Sequence, residues 1–219
     1  MSASHDHAAD APHAQAGTRR EPRARGEAAG HAPSAGHSGA GLPQGPLTSL
    51  RRFTLEDAAE FTARARESRA LHRPWLFPPT EEEAYAAYAG RLLASPEREG
   101  FLVGERAAGG AIAGFVNINN IVEGAFRCGA LGYGAFAHAA GRGLMSEALG
   151  LVLRYAFGPL GLHRLEANVQ PGNAASTALV RRAGFRLEGF SPDFLHIDGA
   201  WRDHERWAIT SEMLPEEQG

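Results

Sequence analysis

The feature that most constrains this chain is a glycine-rich turn leading directly into a helical pattern, in the stretch AHAAGRGLMSEALGL at residues 137–151. Gly141 and Gly143 flank Arg142, and the apolar residues that repeat at helical spacing after them are Leu144, Ala148, Leu151, Val152 and Tyr155. The first turn of a helix exposes unpaired N–H groups and the positive end of the helix dipole, which glycine leaves open to an anion. Two interpretations fit: the glycines only turn the chain, or they open backbone N–H groups to an anion with help from Arg142.

The cationic residues exclude two classes of chemistry, because the chain contains no lysine. A Walker-type phosphate loop needs a lysine, and so does Schiff-base or pyridoxal chemistry. A dinucleotide-binding interpretation fits poorly, since the turn lacks a third glycine and a ribose-binding acid at suitable offsets. A phosphate bound at this turn is therefore held by backbone, arginine or hydroxyl groups.

Charge, cysteine content and apolar runs limit the partners and the location of the protein. The net charge is −3 and no basic stripe stands out, so direct binding to nucleic acid is not indicated. The lone cysteine, Cys128, excludes an internal disulfide framework and a multi-cysteine zinc site, and it suits a reducing compartment. No run approaches the roughly 18 apolar residues that span a bilayer, and no apolar stretch marks a secretory signal. We expect a cytoplasmic protein without a membrane segment.

Composition divides the chain into three parts. Residues 1–45 are mostly Ala, Gly, Ser, Pro, His and charged residues, which bury too little surface to offset the entropy of ordering, so we predict a disordered tail. Residues 46–213 form the predicted domain, and residues 214–219 form a C-terminal tail. The tail histidines are irregularly spaced, and the two His and two Asp residues near the C-terminus lack metal-ligand spacing, so we predict no metal site.

The domain alternates between strand and helix patterns. Predicted strands cover residues 47–53, 99–106, 111–122, 127–137, 162–170, 185–190 and 201–211. Predicted helices cover residues 54–72, 80–94, 143–155 and 171–184. This order favours an α+β domain with a mixed, mainly antiparallel central sheet flanked by helices.

The segment HAAGRG resembles the Gln/Arg-x-x-Gly-x-Gly/Ala motif of the GCN5-related N-acetyltransferase (GNAT) superfamily. The preceding LGYGAF is similar to the family's splayed strand, and residues 162–190 resemble its next strand, helix and strand. The ending FLHIDGAWRDHERWAIT resembles the RimJ-type ribosomal-protein alanine N-acetyltransferase branch. The resemblance covers about residues 47–210, and it implies the three-layer α/β/α GNAT fold with acetyl-CoA as co-substrate and no metal.

The resemblance also implies which residues bind acetyl-CoA. In the family the loop cradles the pyrophosphate through backbone groups, and its first position here is His138 instead of Gln or Arg. A strand N–H polarises the thioester carbonyl, at a position that falls here near Phe136 or Ala137. The residues implied to bind the cofactor are Phe136, Ala137, His138, Ala139, Gly141, Arg142, Gly143, Leu144, Asn173 and Ser176.

Proton transfer has one candidate donor and no obvious strong acceptor. Asn173 is a plausible helix cap, and in resembling proteins the Asn and Ser of N-x-x-S lie beside the thioester, so Ser176 is the candidate to protonate the leaving thiolate. The alternative is that Asn173 only caps and Ser176 only lies on a helix face. The family's usual glutamate position is Ala130, and Glu166 is the nearest replacement by sequence. Weaker candidates in the loop before the last strand are Asp193, His196 and Asp198.

The missing base favours an α-amine as the acceptor. An α-amino group titrates at about 7.7–8.0, so about a tenth of it is neutral at pH 7, whereas lysine, at about 10.4, has about one neutral molecule in 2,500. Trp75, Asn117 and Asn119 are candidates to contact the acceptor. The alternative is that Trp75 fills the core below a proline-bent loop and that the asparagines satisfy strand hydrogen bonds.

These observations predict an acetyl-CoA-dependent N-acetyltransferase that acts by direct amine attack in a ternary complex. The predicted acceptor is a protein N-terminal α-amino group, of the ribosomal-protein alanine type. One alternative is an enzyme that acetylates a small amine such as an antibiotic, a polyamine or an amino acid. Another is a non-catalytic acyl-CoA-binding module. Both a monomer and a homodimer fit the sequence.

Overall fold

The computed structural model describes residues 41–214 of the chain. The predicted N-terminal tail therefore lies outside the described residues except for 41–45, where Gln44 forms an isolated antiparallel bridge with Ser49. The predicted C-terminal tail lies outside them except for Leu214. Within the described part of the chain, no helix has the length and apolar character needed to cross a membrane.

The described residues contain seven β-strands and five α-helices, together with four short 3-10 helices. The strands are β1 (Thr48–Arg52), β2 (Glu99–Glu105), β3 (Ala111–Val122), β4 (Cys128–Ala135), β5 (Arg164–Val169), β6 (Arg186–Ile197) and β7 (Ala200–Thr210). The helices are α1 (Ala58–Glu67), α2 (Arg69–His72), α3 (Glu82–Ala94), α4 (Leu144–Phe157) and α5 (Ala174–Arg182).

The strands form one mixed sheet in the order β1-β2-β3-β4-β5-β7-β6. Every neighbouring pair is antiparallel except β4 and β5, which run parallel. The β4–β5 pairing runs from Cys128 opposite Arg164 to Leu131 opposite Ala167 and then stops. Residues 132–135 of β4 continue beyond that point beside β3 alone, so the sheet opens between its two central strands.

Two apolar cores lie on opposite faces of this sheet. The larger core packs α4 and α5 against one face through residues such as Leu151, Val152 and Trp207. The smaller core, which is rich in aromatic rings, includes Phe61 of α1 and Tyr85 of α3, packed with strand residues of the other face. The predicted α+β class, with a mainly antiparallel sheet between two helical layers, is confirmed.

The predicted helix at residues 54–72 is interrupted in the structure. Thr54 and Asp57 form a capping box, in which the Thr54 N–H donates to Asp57 Oδ2 over 2.9 Å. The helix then breaks at Ser68, whose hydroxyl donates to the Arg64 carbonyl over 2.6 Å and so competes with the backbone ladder. This break separates α2 from α1.

The segment at residues 191–199, expected as a loop, is instead part of a long β6–β7 hairpin. Asp198 and Gly199 form its two-residue turn with φ of 49° and 76°, as a tight hairpin turn requires. The pairing shifts register between Ser191 and Leu195, around Pro192, which cannot donate to a ladder. That irregularity hides the strand pattern in the sequence.

Candidate active site

A cleft of about 790 Å³ occupies the opening between β4 and β5. Its glycine region consists of Gly141, Gly143, Leu144, Met145 and Ser146, at the start of α4. Its tryptophan region consists of His72, Trp75, Leu76, Leu195 and His204, from α2, the following loop and the β6–β7 hairpin. Residues 132–135 of β4, together with Asn168 and Ser176, also line the cleft.

The glycine region is shaped by two left-handed backbone conformations. Gly141 has φ 74°, and Gly143, the N-cap of α4, has φ 80°. A Cβ at either position would meet nothing within 4 Å, so backbone conformation rather than lack of space demands glycine. Within residues 41–214 no side chain caps the N-terminus of α4. Its first N–H groups and the positive end of its dipole therefore lie at the cleft, which suits an anion.

Arg142 does not join the glycine region. Its guanidinium forms a two-armed ion pair with Glu105, one arm spanning 2.8 Å from Nη1 to Oε2, and its side chain is not part of the cleft wall. The same pairing holds the pKa of the Glu105 carboxyl below its ordinary value. The expected contact between this guanidinium and a phosphate is corrected: the arginine ties the loop to the end of β2.

The backbone N–H groups of Phe136 and Ala137, expected to polarise the thioester carbonyl, are not available to a ligand. The Phe136 N–H donates to the Ala113 carbonyl and the Ala137 N–H to Ser68 Oγ, each over 2.8 Å, so both are already used. The Phe136 ring is fully buried in the smaller core, and His138 is exposed outside the cleft. Of residues 136–139, all expected to bind the cofactor, Ala139 lines the cleft.

Two strand amides without a partner among residues 41–214 lie slightly earlier in β4. Because the Phe136 N–H points to β3, the alternation of an antiparallel pair turns the N–H groups of Tyr133 and Ala135 the other way. That is the side from which β5 has already diverged. Both residues line the cleft, so their amides are the ones positioned to meet a ligand carbonyl.

Ser176 lies in the cleft and is paired with a side chain that the sequence did not single out. The Asn173 side chain caps α5 by accepting from the Ser176 N–H over 3.1 Å, as predicted for a cap. The Ser176 hydroxyl lies 2.5 Å from the Tyr133 hydroxyl, and burial raises the pKa of Tyr133 to about 12. Both hydroxyls are protonated at neutral pH and belong to residues that line the cleft.

Glu166 lies outside the cleft and is already paired. Arg164 Nε donates to one carboxylate oxygen over 3.0 Å, and Arg206 Nη2 donates to the other over 2.8 Å. Its side chain is not part of the cleft wall, whereas Asn168, two residues along β5, is. The expectation that Glu166 replaces the missing base is corrected, because both of its oxygens neutralise arginines.

The predicted acceptor residues separate into one in the cleft and two outside it. Trp75 lines the tryptophan region, and its carbonyl accepts from Gln170 Nε2 over 3.2 Å. Asn117 is buried away from the cleft and donates to the Tyr88 hydroxyl. Asn119 is half-buried beside Gly132 and does not line the cleft. Neither asparagine therefore lies where it could contact an acceptor bound in the cleft, and the Asn117 side chain joins β3 to α3 through Tyr88.

Two histidines line the tryptophan region in different tautomeric settings. The His72 Nε2–H donates to the Ala135 carbonyl over 2.7 Å, and the His204 Nδ1–H donates to the Arg202 carbonyl over 2.9 Å. Burial lowers the pKa of both rings. Asp193, His196 and Asp198 are exposed and lie outside the cleft wall. Among residues 41–214 no Asp or Glu lines the cleft, and no group of three or more potential metal ligands occurs.

Comparison with known protein families identifies the family of this chain. A model described as "Acetyltransferase (GNAT) domain" matches residues 48–186. The chain belongs to this family. The match covers the glycine region, Ser176 and the opening between β4 and β5, and it ends before the part of the β6–β7 hairpin that lines the cleft. The resemblance to this family seen in the sequence is confirmed.

Relatives of this GNAT domain include ribosomal-protein acetyltransferases. [Ribosomal protein uS5]-alanine N-acetyltransferase of Escherichia coli (strain K12) is 43% identical over 100 residues, which are 46% of this chain and 52% of that protein. Probable N-acetyltransferase YjcK of Bacillus subtilis (strain 168) is 40% identical over 98 residues, 45% and 54% of the respective chains. The chain spans about half the length of these curated relatives.

Solved GNAT structures resemble the whole described domain. RimJ from Mycobacterium smegmatis, in complex with CoA-disulfide, is 30% identical with a TM-score of 0.72, covering 77% of this chain and 84% of that one. Spermidine N-acetyltransferase from Vibrio cholerae, in complex with CoA and spermine, is 20% identical with a TM-score of 0.65, covering 76% of this chain and 97% of that one. The second likeness shows the shared fold alone.

Proposed function

We propose that this protein is an acetyl-CoA-dependent N-acetyltransferase whose acceptor is a protein N-terminal α-amino group. The observation that carries the proposal is that one cleft combines an uncapped helix N-terminus, free strand amides and a hydroxyl relay. Membership of the GNAT family and the ribosomal-protein acetyltransferase relatives support the reaction and the acceptor class.

The residues of the cleft suit an acyl-CoA thioester. The backbone N–H groups of residues 141–146 can hold a diphosphate without any ammonium side chain. The amides of Tyr133 and Ala135 face the opening and can donate to the thioester carbonyl as it gains negative charge. The Ser176 hydroxyl can donate a proton to the thiolate that leaves, and the Tyr133 hydroxyl can resupply it.

The charge of the cleft supports an α-amine over a polyamine. A buried polycation needs carboxylates to replace its water, and within residues 41–214 no Asp or Glu lines the cleft. A peptide N-terminus brings a single amine that is partly neutral at pH 7 and an apolar or small side chain. Trp75, Leu76 and Leu195 provide an apolar wall for such a residue.

Acceptor profiling with acetyl-CoA tests the proposal. Short peptides beginning with alanine or serine, the same peptides with blocked N-termini, spermine and free alanine are incubated with the full chain, and products are identified by mass spectrometry. We expect acetylation of the free peptide N-termini alone. Equal turnover of spermine or free alanine would favour the small-amine alternative, and acetyl-CoA binding without transfer to any amine would favour a binding module.

A cellular comparison identifies the acceptor and bears on the predicted cytoplasmic location. Protein N-termini are compared by mass spectrometry in cells with and without this protein. We expect a small set of N-termini, ribosomal proteins among them, to lose acetylation when the protein is absent. An unchanged set would remove the proposed acceptor class.

A further inference from the structure

The proposed reaction leaves one proton without a destination. At pH 7 most of an α-amine is protonated, so a group in the cleft must accept a proton before the nitrogen can attack. Glu166 is occupied by two arginines outside the cleft, and the Ser176–Tyr133 pair is needed as a donor. Within the described residues the remaining titratable side chains of the cleft are His72, Arg182 and His204.

His204 is a histidine of the cleft lining that combines burial with a fixed ring orientation. It lies on β7 opposite Ser191 and is 1% exposed, yet its side chain lines the tryptophan region of the cleft. A carbonyl can only accept, so the hydrogen bond to the Arg202 carbonyl assigns the proton of the neutral ring to Nδ1. Nε2 is then left with a lone pair and has no hydrogen-bonding partner among residues 41–214.

His72 provides the internal comparison. Its Nε2–H donates to the Ala135 carbonyl, so its lone pair is on Nδ1, and that atom is enclosed by protein with no partner in the described chain. The His204 Nε2 is not among the fully enclosed, unpartnered side-chain polar atoms of the described residues. Of the two cleft histidines, His204 alone can present its lone pair to a ligand, and His72 serves to hold the end of β4.

The surroundings of His204 keep its ring neutral. Burial, the largest influence, lowers its pKa and outweighs the hydrogen bond to the Arg202 carbonyl. The charged neighbours act in opposite directions, Asp203 raising the pKa and Arg206 lowering it. The Phe194 ring packs edge-on at 5.9 Å between centroids and limits movement of the imidazole. The ring is therefore neutral at pH 7, and its Nε2 carries the lone pair.

We propose that His204 is the general base of this protein, accepting through Nε2 a proton from the acceptor ammonium. The inference rests on the proposed function. The nitrogen lone pair that is released attacks the thioester carbon, the N–C bond forms and the C–S bond breaks. Of the two protons lost by the nitrogen, one goes through His204 to solvent and the other balances the thiol, which Ser176 protonates.

The test is a pH profile of kcat for the full chain and for His204→Gln, with saturating acetyl-CoA and peptide. At pH 7 we expect kcat to fall about tenfold in the variant, because about a tenth of the α-amine is neutral at that pH without a base. The wild-type kcat should stay level down to a pH below about 6.5, the ordinary histidine value. In the variant kcat should rise with pH through the amine's own pKa of about 7.7–8.0, so the two profiles converge above pH 8.

Matched variants separate catalysis from structure. His196→Gln, on the same hairpin but exposed and outside the cleft, should keep the wild-type profile. Circular dichroism and calorimetric acetyl-CoA binding should match the wild type for His204→Gln. If that variant does not fold, His204→Gly with added imidazole takes its place, and recovery of kcat with imidazole is expected.

Other outcomes would overturn the assignment of His204 as the base, the proposed acceptor class, or both. A His204→Gln variant within twofold of wild type at pH 7 and with the same profile overturns the base assignment, as does the absence of imidazole recovery. If the wild-type chain acetylates spermine but no peptide, the acceptor class falls, and the His204 comparison is run with spermine. A chain that acetylates no amine overturns both proposals.

Discussion

The two regions of the cleft are built in opposite ways. The glycine region comes from one continuous segment, residues 141–146, and its chemistry lies in the backbone. The tryptophan region gathers side chains from the α2 loop, β6 and β7, far apart in sequence. A backbone site is typical of binding to a group such as a diphosphate, which many ligands share. A site made of side chains is typical of selection between different acceptors. Variants in the two regions should therefore affect different steps.

The largest expected effect is on the glycine region. Gly141→Val should raise the Kd for acetyl-CoA about 100-fold, because a β-branched residue at φ 74° costs about 1–3 kcal/mol and the loop relaxes away from the anion. Isothermal titration calorimetry measures the effect. Gly150→Ala, inside α4, is the matched control and should bind normally. Unchanged affinity in Gly141→Val would remove the diphosphate-binding role of this turn.

The next effect should separate chemistry from binding. Ser176→Ala keeps the backbone N–H that Asn173 caps but removes the hydroxyl beside Tyr133, so kcat should fall about 100-fold while acetyl-CoA affinity stays within twofold. Steady-state kinetics and calorimetry provide the two values. Thr177→Ala, the next residue of α5 and outside the cleft, serves as control. An equal loss of affinity would show that Ser176 acts in binding instead.

A smaller effect should come from the ion pair behind the glycine region. Glu105→Gln releases Arg142 from β2, so the KM for acetyl-CoA should rise about fivefold, equivalent to about 1 kcal/mol, with kcat unchanged. Arg142→Gln should have the same effect, and the double variant should be no worse than either single one. Additive effects would mean that Arg142 contacts the cofactor itself.

The smallest effect on the reaction as a whole should follow from Glu166→Gln, which lies outside the cleft. Both carboxylate oxygens bind arginines outside the cleft, so kcat should stay within twofold while stability falls by about 1 kcal/mol in chemical denaturation. A large loss of kcat with unchanged stability would return Glu166 to the role of base and would contradict the assignment to His204.

Features that depend on neighbouring residues can be predicted from the sequence, whereas contacts between distant residues cannot. The turn at Gly141 and Gly143 and the cap at Asn173 were predicted, because both depend on backbone preferences within a few residues. The role of Arg142 was not, because its partner Glu105 is 37 residues away. The hairpin that carries His204 was hidden by the register shift near Pro192.

The sequence by itself determined the fold class, the glycine turn at the start of α4 and membership of an acetyltransferase family, since local conformation and a contiguous motif carry that information. The tertiary structure decided which side chains share the cleft. Tyr133 meets Ser176 because β4 turns its odd-numbered side chains toward α5, and Glu166 meets two arginines because β5 pairs with β7. Such choices depend on strand order and register, which residues distant in sequence establish only when the sheet assembles.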